Sequence, residues 1–222
     1  MASSACPGDV IYQPMDRGTA SGVLLPLATI VATDPDAVVV ITPSDHGVED
    51  PEAFRRGIRL AAARVTARRS DIVLFGVEAG APSTDLGWIT AHAPEPLGSE
   101  HFRRVRAFVE KPGPVEARRL FAAGAVWNTM VLVARASALF DVFQALLPFH
   151  SDVVRTAQGF SPAYRDAFLR DWYPELPVAD FSRDVLARAA NLCLYTWPAT
   201  MGWSDLGTPE RLNRWLALVR VA

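Results

Sequence analysis

The sequence predicts a layered α/β fold with a parallel sheet, and three observations carry that prediction. Residues 37–42 and 72–75 are continuously apolar and rich in β-branched side chains, as suits strands buried on both faces. Segments with helical spacing alternate with these runs in the first part of the chain. An apolar content of 50% beside 21% charged residues gives a chain of 222 residues enough material for a core and argues against disorder.

Taken in order, residues 1–8 are small and polar without periodicity and read as a disordered tail, leaving one folded domain over 9–222. Residues 9–12 suit a short strand running into Gln13-Pro14. Ala20, Val23, Leu24, Leu27, Ala28 and Val31 keep helical spacing, with Pro26 as a kink or an early-turn residue. The apolar run at 37–42 reads as a buried parallel strand, broken by Pro43-Ser44-Asp45-His46. Asp50-Pro51 opens a helix to about residue 69, because proline suits the first turn. The strand at 72–75 ends at Gly76, and a loop rich in Gly, Pro, Ser and Asp leads to Gly87.

Trp88-Ile89 and residues 105–110 read as strands of a second, partly antiparallel set. Pro114 starts a short helix that Gly124 caps. Residues 125–135 are strand-like, 137–147 helical, and 149–184 a group of short helices broken by Pro162, Pro174 and Pro177. Residues 192–197 form a late strand. Thr208-Pro209-Glu210 supplies an N-cap, a first-turn proline and a first-turn acid for a last helix to residue 219.

Composition excludes several functions. A net charge of -2 provides no basic field for nucleic acid or an anionic membrane. No apolar run approaches the roughly 18 residues of a membrane span, and the first residues lack a secretory pattern, so a cytoplasmic location is expected. Cys6 and Cys193 are too few for a disulfide framework, and the four histidines have no zinc spacing.

Lys111 is the single lysine among 22 basic residues, the others all being arginine. A compact ammonium on a flexible stem does what a planar guanidinium cannot, which makes Lys111 a candidate site residue, although composition alone fits a single lysine left by chance on a solvated surface as well. It follows the strand-like Phe108-Val109-Glu110, beside a proline, at a strand end where ligands collect. Asp45, Gly87 and Asn128 also sit at the ends of apolar runs, and Trp203-Ser204-Asp205-Leu206-Gly207 forms a polar loop before the last helix. Two acids on separate loops, Asp45 and Asp205, suit Mg²⁺, which takes one or two carboxylates beside water and phosphate oxygens. Taken alone, the segment at Ser44-Asp45 suits a turn in which a side chain bonds the next backbone N–H better than it suits a metal site; Asp205 has the same alternative, and Asn128 can simply satisfy a strand end.

The segments Gln13-Pro14-Met15-Asp16-Arg17-Gly18-Thr19-Ala20, Pro43-Ser44-Asp45-His46, Leu86-Gly87-Trp88-Ile89, Phe108-Val109-Glu110-Lys111-Pro112, Val126-Trp127-Asn128-Thr129 and Gly202-Trp203-Ser204-Asp205-Leu206-Gly207, in this order, resemble the sugar-1-phosphate nucleotidyltransferases. The resemblance is closest to the mannose-1-phosphate guanylyltransferases (GDP-mannose pyrophosphorylases). It implies a Rossmann-like nucleotidyltransferase fold with a mixed, mostly parallel sheet flanked by helices. The implied reaction is nucleotidyl transfer from GTP to mannose 1-phosphate, giving GDP-mannose and pyrophosphate. It implies Asp45 and Asp205 as holders of Mg²⁺, and Gln13, Arg17, Gly18 and Thr19 as the segment facing base and ribose, with Ser44 beside the nucleotide. Gly87, Glu110 and Asn128 correspond to positions that receive the sugar, and Lys111 to the one that meets its phosphate.

The chain departs from the family in one respect: no GGxGxRL segment precedes residue 9. The resemblance then implies a domain incomplete at its N-terminus, lacking a strand and an anion-binding loop. The expectations that follow are impaired catalysis by this chain alone and an open sheet edge that pairs with a second copy or a partner chain. The alternatives are a thymidylyl- or uridylyltransferase acting on glucose 1-phosphate, and a non-catalytic nucleotide-sugar binding or regulatory protein.

Overall fold

In a computed structural model describing residues 8, 10–93 and 101–219, the apolar runs become strands and the amphipathic segments cover them. The elements are α1 (Gly18–Thr33), β1 (Val38–Ile41), β2 (His46–Gly47), α2 (Pro51–Ala67), β3 (Ile72–Glu78), β4 (Trp88–Ala91) and β5 (Phe102–Val109). They continue as α3 (Pro114–Ala122), β6 (Val126–Arg135), α4 (Ala136–Leu146), α5 (Pro148–Gln158), α6 (Pro162–Trp172), β7 (Leu192–Trp197), β8 (Ser204–Asp205) and α7 (Pro209–Val219). Helix starts follow local chemistry. The Asp50 carboxylate accepts from the N–H groups of Glu52 and Ala53 at 3.0 and 2.9 Å, with Pro51 in the first turn of α2.

The main sheet runs in the order β1-β6-β3-β7-β5-β4, and an extra β4–β6 pairing closes β6, β3, β7, β5 and β4 into a ring. It is mixed, but hydrogen-bonded neighbours are mostly antiparallel: among the described residues only β3–β7 is a parallel pair. Strands β1, β3, β7 and β4 share a direction, but apart from β3 and β7 they are not neighbours, because β6 separates β1 from β3 and β5 separates β7 from β4. The run at 37–42 is therefore no fully buried parallel strand. β1 pairs antiparallel with β6, its other edge meets no strand among the described residues, and Val38 and Val40 are 38% and 44% exposed. Its apolar character reflects one covered face, where Val39 and Ile41 pack on the core.

Residues 10–12 form no strand, and Val10, Ile11 and Tyr12 are exposed. The tail at 1–7 and Asp9 lie outside the described residues. Helices α1, α4 and α5 cover one sheet face through Leu24, Leu139, Phe143 and Val154. On the other face α2 packs Ala61 and Val65 near a stack in which the Phe75 and Trp197 rings lie 4.2 Å apart. Each fully buried side chain of this size contributes roughly 1.5–3 kcal/mol, so the two clusters fix the frame from which the loops project. No helix among the described residues is long and apolar enough to cross a membrane.

One irregularity in the sheet shapes the loop end. A step from Leu74 to Gly76 on β3 faces the longer step from Leu132 to Asn128 on β6. β6 therefore bulges at residues 129–131, and Met130 takes a left-handed φ of 57°. The Thr129 hydroxyl donates to the Phe75 carbonyl at 2.7 Å and accepts from the Val131 N–H at 3.3 Å, satisfying backbone groups that the bulge frees.

Candidate functional site

A cleft of about 680 Å³ opens where β1 and β5 end and where β4 and β6 begin. The sequence places ligand groups at strand ends, and the structure adds that Gly87 and Asn128 stand at beginnings. The reason is direction: β6 runs antiparallel to β1, so its start lies beside the end of β1.

Two distant loops meet here as a small second sheet. β2 pairs antiparallel with β8, setting His46 opposite Asp205, and the Leu206 N–H donates to the Asp45 carbonyl at 2.9 Å. Asp45 and Asp205 thus both line the cleft. The Asp45 side chain is 67% exposed, with His46 Nε2 at 3.9 Å from its Oδ1. Burial lowers the pKa of His46, against the opposing pull of Asp45 and Asp205, so the imidazole resists protonation between two acids.

The opposite wall carries Glu110, Lys111 and Asn128. Lys111 has a left-handed φ of 44°, and it and Met130 are the two non-glycine residues with positive φ among those described. Both line the cleft. Such backbone costs about 1–3 kcal/mol per residue and collects where function needs a fixed geometry. No hydrogen bond or ion pair holds the Lys111 ammonium among the described residues, and Lys111 is exposed at the cleft rim. Burial, and then repulsion from Asp180, raise the pKa of Glu110, while Lys111 pulls it down.

Gly87 makes room for this acid: a Cβ there would lie 2.7 Å from Glu110 Oε2 and 3.4 Å from the Asn128 Cβ. Asn128 is 3% exposed, and its Oδ1 accepts from the Met130 N–H at 3.2 Å, bracing the bulge. On the third side, Thr19 Oγ1 accepts from the Phe181 N–H at 2.8 Å, and Gln13 Oε1 accepts from the Tyr173 hydroxyl at 2.9 Å. Burial pushes the Tyr173 phenol up to about 12, so it remains a donor.

Of the residues singled out from sequence, Lys111, Asp45, Asp205, Gln13, Thr19, Gly87, Glu110 and Asn128 line the cleft, whereas Arg17, Gly18 and Ser44 do not. The Arg17 guanidinium turns back to the Pro174 carbonyl. Gly18, at φ 83°, packs so closely on Ala179 that a Cβ would collide with its carbonyl oxygen. These two residues start α1 and hold the segment at Ala179, which carries Asp180 and Ser182 into the cleft; they position rather than line it. Ser44 is exposed at the turn.

Sequence reasoning missed Asp180, Ser182 and Met130, which lie on no recognisable strand end, and gave no role to His46 or Trp203. Buried polar atoms without partners were a further signal that only coordinates supply. His46 Nδ1 and the Trp203 indole N–H have none among the described residues, and the two rings meet edge to face at 5.2 Å.

The donor set suits a hard divalent ion in kind, since two carboxylates suffice for Mg²⁺ when phosphate oxygens and water complete its shell. No group of three or more His, Cys, Asp or Glu side chains forms a closed metal site among the described residues. One contact qualifies the fit: Arg211 Nη1 lies 2.5 and 2.8 Å from the two Asp205 oxygens.

The model of the nucleotidyl transferase family matches residues 5–219 of this chain. The alginate biosynthesis protein AlgA of Pseudomonas syringae pv. tomato is 33% identical over 201 residues, covering 89% of this chain and 41% of that protein. The mannose-1-phosphate guanylyltransferase ManC of Salmonella typhimurium is 28% identical, covering 90% and 42%. A crystal structure described as mannose-1-phosphate geranyltransferase from Thermus thermophilus superposes with a TM-score of 0.79 at 25% identity, covering 92% of this chain and 56% of that one. The chain therefore spans less than half the length of the two curated relatives.

Proposed function

The chain belongs to the nucleotidyl transferase family, and we propose that its cleft serves guanylyl transfer from GTP to mannose 1-phosphate. The observation that carries this reading is the meeting of Asp45, Asp205, Glu110, Lys111 and Asn128, from separate segments of the chain, around one opening. The name of the Salmonella relative supports the choice of guanylyl and mannosyl substrates.

In this reading a phosphate oxygen of the sugar phosphate forms a bond to the α-phosphorus of the triphosphate. The bond from that phosphorus to the bridging oxygen breaks, and pyrophosphate leaves. The attacking oxygen is already anionic, so positioning and charge neutralisation suffice without a strong base. Lys111 meets the sugar phosphate as a point cation, Glu110 and Asn128 accept and donate to sugar hydroxyls, and Gly87 leaves room for the ring. Gln13 and Thr19 face the nucleoside. Asp45 and Asp205 would hold Mg²⁺, which when bound neutralises phosphate charge. Triphosphate substrates and the free buried Cys193 accord with a cytoplasmic location.

Thermal protection tests the reading, because a ligand that binds only the folded chain raises its melting temperature. GTP with Mg²⁺, and GDP-mannose, are expected to protect. Protection by UTP or dTTP and not by GTP would replace the guanylyl assignment with a uridylyl or thymidylyl one. A coupled pyrophosphate assay then separates an enzyme from a binding protein: GDP-mannose binding without pyrophosphate release supports the second.

A further inference from the structure

We infer that Arg211 is a tethered cation that competes with the divalent metal for Asp205, so that α7 is a latch which metal binding displaces. The inference rests on the reading of Asp45 and Asp205 as the metal-holding pair. A single guanidinium nitrogen lies 2.5 and 2.8 Å from both oxygens of Asp205, astride the carboxylate where a chelated cation would sit. Ordinary fork-on-fork pairing uses two nitrogens, one for each oxygen. The second terminal nitrogen of Arg211 instead reaches toward Asp85, at 3.7 Å, across the cleft rim. Cations cannot share one short carboxylate edge without repulsion, so the divalent ion and the guanidinium exclude each other there.

The arm that carries Arg211 is suited to release. α7 packs on β8, and the Arg211 N–H is capped by Thr208 Oγ1 at 3.3 Å. Its other anchor is Trp215, which lies over Gly47 of β2 so closely that a Cβ on Gly47 would collide with the indole nitrogen. Leu212 and Leu216, on the same helix, are exposed. An element with few anchors opens more readily than the core. The contacts of α7 with β8 and with Gly47 lie on the two-stranded sheet that holds Asp205 and directly follows Asp45. Release of Asp205 from Arg211 therefore frees the metal position and loosens the helix in one step.

Mn²⁺ serves as the probe, with free ion counted by electron paramagnetic resonance and α7 followed by hydrogen exchange on the full chain. Arg211→Gln is expected to bind Mn²⁺ about tenfold more tightly than the parent, a coupling of ordinary size for linked sites. Trp215→Ala, which undocks α7 without touching either acid, is expected to tighten binding in the same direction. Saturating Mn²⁺ should speed amide exchange over residues 209–219 in the parent. Equal or weaker Mn²⁺ binding in Arg211→Gln would overturn the latch, while Mn²⁺ binding lost in Asp45→Asn would still uphold the metal pair. Failure of the parent and both variants to bind Mn²⁺ would remove the metal reading and the latch together.

Discussion

Asp71 and Asp205 are both acids held by arginine, yet they sit at opposite ends of the sheet and do opposite work. Asp71, just before β3, is 1% exposed and meets Arg64 Nε at 2.7 Å and Arg104 Nη1 at 2.9 Å, with the Cys193 thiol at 3.5 Å. Burial, and then the Asp71 charge, push that thiol up to about 11, which keeps it an inert donor. These partners of Asp71 are fixed by α2, β5 and β7. At the other end, among the described residues, Asp205 meets Arg211 of α7, and the exposed Asp45 has an imidazole at 3.9 Å. Acids with saturated partners hold a fold, and acids with replaceable partners stay available to a ligand.

Removing the structural acid should produce the largest effect. Asp71→Asn leaves Arg64 and Arg104 without their shared carboxylate and is expected to cost about 3–5 kcal/mol in denaturant unfolding. Asp45→Asn should alter stability by no more than about 0.5 kcal/mol, being exposed, while abolishing the Mg²⁺ dependence of GTP protection. A large loss of stability in Asp45→Asn would erase the contrast between the two ends.

Glu110 sharpens the comparison through pH. Its folded pKa lies above the ordinary 4.5, so the stability linked to it is full below that value and is lost as pH rises through the folded pKa. Glu110→Gln should flatten this decline and raise the melting temperature at pH 8, while hexose-phosphate protection falls. A melting temperature that falls in the variant at pH 8 would give Glu110 a structural role instead.

The smallest effect concerns the Lys111 backbone. Lys111→Gly relieves its left-handed φ and is expected to gain about 0.5 kcal/mol while losing sugar-phosphate protection. Lys111→Arg keeps the charge and the strain, and should lose protection as well because the guanidinium is larger and planar. Protection that survives in Lys111→Arg would show that any cation serves.

The sequence made much of the fold legible where local chemistry decides it. The Asp50-Pro51 start of α2, the Gly124 cap and the Thr208-Pro209-Glu210 start of α7 are set by groups a few residues apart. The strand at 10–12 failed because its apolar residues find no neighbour to pair with among the described residues, and propensity alone does not make a strand. Of the candidate site, Lys111 was legible from its solitary identity, and Asp45, Gly87 and Asn128 from their place at the ends of apolar runs. Asp180 and Ser182 were not, because their position depends on how residues 17–20 grip the chain at Ala179.

The sequence by itself determined which residue types were on hand and which segments were helix or strand, since capping, periodicity and proline act over a few residues. It also carried the family, through the order of its motifs. Only the tertiary structure decided that β6 lies between β1 and β3, that β6 bulges at Met130, and that Arg211 occupies Asp205. Those outcomes depend on pairing and packing between segments far apart in the chain, where the nearest neighbour is chosen by the whole molecule rather than by adjacent residues.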